Sequence, residues 1–477
     1  MKKTLISVVA VVAMVSVMAG CGSKEPDKGT ASSTVPSTTS PSATTTGQAT
    51  NAAIKGKLTV QMETPDKKTE NEQIEKSIER YKAKYPGVQI SKDDWKYDPT
   101  QIGVKMASHS VPDVIKVYAS EGKMLADHNW ALDLTPFLNE WKFKNDLNPL
   151  MTKSFTVNDK IYGLPLDGYV MTVTINKKLL ADKGVAMPPL DWTWDDFFDI
   201  AQKVNDPAKG IAGFIPMGKG TESGWNWTNF LFAAGGDIQK VENGKVVTTF
   251  NSEAGLQALE FYKKLKDANV IPENWALGYM DALTAFYQGR GAMVLCGSGN
   301  AVDTAINQGG MNKDDLAIYP IPSMKKGGKH TGVFGGTYQI ISGLVDKEDQ
   351  PAAFKWISDE AFTEEAINAR DAEITSRKEK KQIFVPQLTN YWKEDSEYGK
   401  KYNDMIAKHD NVYKYDPQLL TLLEGKPESQ FETQKYYAEM AELVQEIFTV
   451  KDINLKERME FHAKKLQEEV FDKIKIQ

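Results

Sequence analysis

Cysteine is almost missing from this chain, with two residues, Cys21 and Cys296, among 477. A disulfide scaffold is therefore excluded, as is any Cys-x-x-Cys redox or zinc motif. The five histidines are scattered, with no His-Glu-x-x-His and no pair at metal-ligand spacing. There is no Gly-x-Ser-x-Gly elbow and no twelve-residue calcium loop with its Gly and final Glu. The nearest approach to a phosphate loop is Gly213 to Lys219, but Gly220 stands where a hydroxyl must hold magnesium and Pro216 stiffens the backbone. No cofactor and no metal are expected. Basic residues are not in excess: the net charge is −6 with both signs interspersed, which argues against a nucleic-acid partner. After residue 21 no apolar run is long enough to span a bilayer.

What is present begins at the amino terminus. Lys2 and Lys3 precede an apolar run from Leu5 to Met18, and Ala19, Gly20 and Cys21 are small. Charge, length and small-residue exit together read as a secretory signal over residues 1–20. Met18-Ala19-Gly20-Cys21 resembles the lipobox of bacterial lipoproteins, in which the Cys becomes the lipidated first residue; Met replaces the usual Leu. The resemblance implies lipidation of Cys21 and a place on the outer face of the cell membrane. From Gly22 to about residue 55 the chain is dominated by Ser, Thr, Pro, Ala and Gly and has no aromatic residue, too little apolar surface to fold. A flexible leash of about 30 residues spans roughly 30 Å. Residues 21–55 are read as that leash.

About 425 residues remain, more than one core ordinarily holds, so two domains are expected. A hydrophobic fraction of 41% and a charged fraction of 26% describe an ordinary globule. The ten Trp and eighteen Tyr are more telling, because several fall outside any helical or strand period. Trp225 and Trp227 lie in "TESGWNWTNF", and Trp192 and Trp194 in "PLDWTWDDF". Aromatics beside Gly, Ser, Asn and Asp at segment edges suit a ligand surface; aromatics in stripes suit a core.

"GKLTVQME" reads as a strand, and Ile74, Ile78, Tyr81 and Tyr85 recur at helical spacing until Pro86-Gly87 stops them. "VQI" and "SVPDVIKVY" are further strands, giving a strand–helix–strand–helix–strand opening and a mostly parallel sheet with covered faces. "KIYGLPLDGYVMTVTINKKLL" reads as a strand pair broken at Pro-Leu-Asp-Gly. Asp191 and Thr193 are candidate caps of the helix in "DWTWDDFFDIAQKV". "MDALTAFYQGRGAMVLCG" is helix, Gly stop and strand; the end of the chain, from "QFETQKYY" onward, is helical.

The order of segments resembles the extracellular solute-binding proteins of ABC transporters, in the sugar-binding, maltose-binding-protein-like class. "ERYKAKYPGVQI", "KMASHSVPDVIKVY", "YGLPLDGYVMTVTINKKLL", "WNWTNFLFAAGGDI", "ALTAFYQGRGAMVLCGSGN" and "VFGGTYQIISGLVDKEDQPAAFKWI" carry it, from about Lys57 to Phe362. Ile175 departs from the Tyr usual before Asn-Lys, and "CGSGNAV" lacks a Trp the family often places there. The resemblance implies a two-lobe α/β fold of the type II periplasmic-binding-protein kind, with a hinge and a ligand cleft between lobes. The first lobe is expected over 56–168 and 314–388, the second over 169–313 and 389–477.

It further implies a non-enzymatic, monomeric protein that binds a carbohydrate, an oligosaccharide, and delivers it to the permease of an ABC importer. A surface glycoside hydrolase and a signalling receptor subunit are the competing readings; a carboxylate pair is recognised by its separation in space, which sequence does not give. Candidate ligand contacts are Glu63 and Asp66 after the first strand, and Tyr118, Ser120 and Glu121 after "PDVIKVY". Asp167 and Tyr169 lie at the crossing, Trp225 and Trp227 before a helix, and Ser298, Asn300 and Asp303 after the Cys296 strand. Gly335, Gly336 and Thr337 bring bare backbone near the cleft. Each has a plainer alternative. Asp66 and Glu121 suit solvated caps, Asp167 a hinge amide, Gly335-Gly336 a turn, and Trp227 the core with Trp225 its exposed partner.

Overall fold

The Pro-Leu-Asp-Gly stretch does not break the chain. In a computed structural model, which describes residues 54–65 and 68–476, residues Leu164–Asn176 form one strand of 13 residues, β6, and the architecture is organised around it. Before it come β1 (Lys55–Gln61), β2 (Gly87–Asp93), β3 (Val114–Tyr118) and the short hairpin β4 (Thr156–Val157) and β5 (Lys160–Ile161). After it come β7 (Ala212–Ile215), the hairpin β8 (Gln239–Glu242) and β9 (Lys245–Thr248), then β10 (Gly291–Gly297) and β11 (Leu316–Pro320). The last two are β12 (Thr331–Ile341) and β13 (Glu424–Pro427). The signal, Cys21, the leash and Asp66 lie outside the described residues.

Nine strands form one sheet in the order β2-β1-β3-β12-β6-β10-β7, with β11 also on β6 and β13 on β12. The first half of β6 pairs with β12, from Leu164↔Gln339 to Val170↔Phe334. Its second half pairs with β10, from Met171↔Gly297, and with β11, from Thr172↔Pro320. One strand therefore serves two sets of neighbours in succession. The register shifts between Thr337 and Tyr338, so the stretch read as a break is an irregularity within a continuous ladder. The sheet is mixed, not mostly parallel: β1 is parallel to β2 and β3, and β10 to β7, but β12 runs antiparallel to both β3 and β6.

Two large cores lie along this sheet. One gathers Leu58 and Val60 of β1, Ile78, Tyr81 and Tyr85, Ile341 of β12, and Phe354. The helix Lys68–Lys84 supplies Ile78, Tyr81 and Tyr85 at the spacing read from sequence, and β2 follows at once from Gly87. The other core holds Val173 and Ile175 of β6, Trp192, Phe197, Trp227, Phe230, Tyr262 and Met293. Here Thr193 caps the helix Trp194–Val204: its hydroxyl accepts from the Asp196 amide at 3.3 Å, and Asp196 accepts back from the Thr193 amide at 2.8 Å. Such a reciprocal cap is worth about 1 kcal/mol.

Two segments pack with the core opposite to the lobe in which each is expected. Residues from 314 were assigned with the first lobe, but β11 is laid against β6, and Tyr319 and Ile321 pack in the core around Trp227. Residues after 388 were assigned to the second, yet Trp392, Tyr398, Tyr402 and Met405 pack with Tyr85 and Phe354. Burial of aromatic side chains decides where these segments go, not their place in the chain.

Candidate ligand-binding site

The loops leaving β1, β3 and β10, the start of the helix Thr221–Ala233, and the meeting of β6 with β12 carry most of the candidate residues. At the end of β3, Glu121 is almost fully buried. Tyr97 donates its hydroxyl to Glu121 Oε2 at 2.9 Å and Ser120 to Oε1 at 3.1 Å. Gln434, one residue into the helix Thr433–Thr449, donates in turn to Ser120 Oγ at 3.1 Å. Burial pushes the Glu121 carboxyl up to about 7, against the opposing effect of its two hydrogen bonds. Glu428 is likewise pushed to about 7 by burial, with Tyr437 donating at 2.7 Å to hold it down and the Glu121 charge raising it further. Tyr118 stands beside Tyr97, ring centroids 5.7 Å apart. Glu63 is committed to Lys116, 3.1 Å from its ammonium.

An aromatic series begins at Tyr169 on β6. Its ring lies across two glycines: a Cβ at Gly335 would stand 2.3 Å from the Tyr169 hydroxyl, and one at Gly297 2.9 Å from its ring. Gly335 therefore makes room for the protein's own tyrosine. At Gly336 a Cβ would stand 2.3 Å from the Asp167 carbonyl oxygen, so that glycine serves the close approach of β6 and β12. On the side a Cβ would take, both glycines are therefore filled by the protein's own atoms. Trp225 meets Tyr169 edge-on at 5.8 Å and Tyr279 at 6.4 Å, and it is partly exposed. Trp227 is fully buried with Phe230 and Tyr262. No ligand reaches it without unpacking that core, so the plainer alternative holds for Trp227. Beneath the series, Glu222 accepts from the Tyr279 amide at 2.6 Å, and the Tyr279 hydroxyl lies 3.1 Å from Cys296 Sγ and 3.2 Å from Asn300 Nδ2.

Asn300 leads from the aromatics into a cavity of about 240 Å³, which Asp167, Ser298 and Asp303 also line. Four candidates from two sequence regions thus meet in one place. Asp167 accepts from the Thr337 amide at 3.0 Å and hydroxyl at 2.7 Å, tying β6 to β12. Asp303 holds Arg377 at 3.2 Å and Asn307 at 2.9 Å. Ser298 has a φ of 45°, donates its amide to Val170 at 2.9 Å, and accepts at its carbonyl from Thr172 at 3.0 Å. Its hydroxyl is buried and has no hydrogen-bond partner among the described residues. A buried orphan at a cavity wall calls for a ligand group or water.

The facing wall comes from residues not anticipated: Arg370, Arg377, Phe384, Tyr391 and Trp392. Tyr97, Glu222, Tyr279 and Glu428 were also missed. Tyr97 in "DWKYD" and Tyr279 after Gly278 fit the rule that found Trp225, an aromatic beside polar residues at a segment edge. For metal, the described residues bring Glu439, Glu442 and His462 together, but Lys465 lies 3.0 Å from Glu439 and 2.7 Å from Glu442 and fills the place of a cation.

The sequence model of the family described as bacterial extracellular solute-binding protein matches residues 66–366. Lipoprotein LipO of Bacillus subtilis is 28% identical over 212 residues, 41% of each chain. The arabinooligosaccharide-binding protein of the same organism is 26% identical over 279 residues, 55% of this chain and 60% of its own. The matches thus span less than two thirds of either relative. A solute-binding protein of an ABC transporter from Thermotoga lettingae, solved with bound α-D-tagatose, superimposes with a TM-score of 0.66 at 19% identity. That alignment covers 87% of this chain and 99% of the other, a likeness of fold.

Proposed function

The chain belongs to the bacterial extracellular solute-binding proteins, and from that premise we propose that it captures an oligosaccharide and hands it to an ABC importer. Its fold is the mixed α/β, type II periplasmic-binding-protein-like one. The two cores are read as two lobes, with β6 and β12 as crossings between them. The family consists of binding proteins, and this chain is read as one that does not transform its ligand.

The observation that carries the proposal is a polar cavity lined by Asp167, Ser298, Asn300 and Asp303, which Asn300 joins to the Tyr169–Trp225–Tyr279 series by its hydrogen bond to the Tyr279 hydroxyl. Sugars present hydroxyls at their edges and apolar C–H faces, so they need both halves of such a site. Capture couples to transport if ligand favours one arrangement of the lobes, a population shift set by differential affinity. Residues 1–21 support export and a lipid anchor at Cys21, and the relative LipO is named as a lipoprotein.

A thermal-shift screen against an oligosaccharide panel tests the reading. A ligand at a hundredfold excess over its Kd stabilises by about 2.7 kcal/mol. For lobes of about 200 residues that raises Tm by roughly 5–10 °C. The bound sugar should come back intact by mass spectrometry after long incubation. A panel without any shift would sink the proposal, and shortened products would move it to a glycoside hydrolase.

A further inference from the structure

We infer that the cavity is an end subsite for a carboxylate-bearing sugar ring, a uronic acid, so that the ligand is an acidic oligosaccharide with its charged end held by Arg370. The inference rests on the reading of the site as an oligosaccharide cleft.

Both carboxylates lining the cavity are occupied, Asp167 by Thr337 and Asp303 by Arg377 and Asn307. Asp167 uses both of its oxygens, whereas Asp303 makes both contacts through Oδ1 and keeps Oδ2 open to a ring hydroxyl. The arginines differ. Arg377 gives Nε to Glu373 at 2.9 Å and Nη1 to Asp303, so its fork is largely used. Arg370 gives only Nη1, to Glu373. Its Nε and Nη2 make no hydrogen bond among the described residues, leaving open the side-on edge of the guanidinium.

That edge offers two parallel N–H donors, the arrangement that a planar carboxylate meets bidentately. Arg370 and Arg377 both lie over the Phe384 ring, at 5.4 and 5.7 Å from its centroid. A guanidinium held over an aromatic ring has less orientational freedom to lose on binding. Ser298 lines the same cavity, its hydroxyl buried and without a hydrogen-bond partner among the described residues. The cavity volume of about 240 Å³ falls below the ~300 Å³ where drug-sized pockets begin, room for about one ring. The aromatic series has the opposite character, with Glu222 accepting from the Tyr279 amide at 2.6 Å and Glu428 near Tyr169. A chain of hydroxyls along the acids and aromatics with a carboxylate at the arginine end matches both.

The test is isothermal titration of the full chain with a trigalacturonate, the neutral trisaccharide of the same linkage, and a sulfated trisaccharide. The trigalacturonate should bind at least tenfold tighter than the neutral sugar, and added salt should erode that margin. Arg370→Gln should abolish the preference, and Arg370→Lys should restore little of it, because a point charge lacks the fork. Arg370 is well exposed, so both variants should keep the unliganded Tm within about 2 °C. If neutral sugars bind and the acidic one does not, this inference is overturned while the oligosaccharide reading stands. If the sulfated sugar binds as well as the carboxylate, the assignment to a uronic acid is overturned, because a guanidinium fork also meets two oxygens of a sulfate. If no sugar of any kind binds, the proposed function itself fails.

Discussion

Asp167 grips Thr337 twice, through its amide at 3.0 Å and its hydroxyl at 2.7 Å, where β6 meets β12 beside the register shift. Both carboxylate oxygens are engaged between strands, so the side chain acts first as a tie within the sheet. Asp167→Ala should lower stability by about 1–3 kcal/mol, because the Thr337 amide loses its partner in a partly buried place. Asp167→Asn, which keeps one acceptor, should cost less. Urea unfolding of the two variants checks the order; equal stability of wild type and alanine variant would remove the tie.

Two tryptophans two residues apart should behave oppositely. Trp227→Ala should cost about 3–5 kcal/mol, since it empties a fully buried site. Trp225→Ala should leave the unliganded melt nearly unchanged and remove most of the ligand-dependent rise in Tm. A Trp225 variant that loses several degrees without ligand, and keeps its ligand response, would mark a packing residue.

The Glu121 carboxyl gives a pH dependence with a definite sign. Its pKa rises from 4.5 to about 7 in the fold, under burial and beside Glu428, Glu432 and Lys435. The neutral form suits the native state, so this group's penalty is absent below pH 4.5 and grows as pH rises towards 7. Glu121→Gln should therefore be more stable than wild type at pH 8, on the order of 1–3 kcal/mol, and no more stable near pH 4. Melting curves from pH 4 to 8 decide it; a constant difference across that range would contradict the burial argument.

Cys21→Ala should release the protein into the medium or leave it unprocessed, because stable anchoring needs two or more acyl chains. Membrane fractionation and detergent partitioning measure this. Unchanged retention of the variant would exclude lipid as the anchor.

Much of the scaffold was legible because local signals agreed with the tertiary outcome. The Ile78–Tyr81–Tyr85 spacing, the Thr193 cap and the Gly289 stop each did locally what the packing required. β6 was misread because Pro165 and Gly168 normally end strands. Here Pro165 falls at the shifted register, and Gly168 makes room for Met151 and Thr389. The Arg370 wall was invisible for another reason. The helix Glu364–Glu379 alternates charges like any solvated surface, and "FVPQLTNYW" has no period at all. Only the fold brings them opposite Ser298.

Cys296 closes β10 with no exposed surface, its thiol pushed up to about 11 by burial and placed against the Tyr279 hydroxyl. At neutral pH it is neither ionised nor reachable, so an alkylating reagent can modify it only when the strand end opens. The rate of adduct formation at that one peptide is then a clock for local opening beneath the aromatic series. A ligand resting on Trp225 and Asn300 should slow the clock, and the ratio of the two rates would report its grip through a cysteine the chain already has.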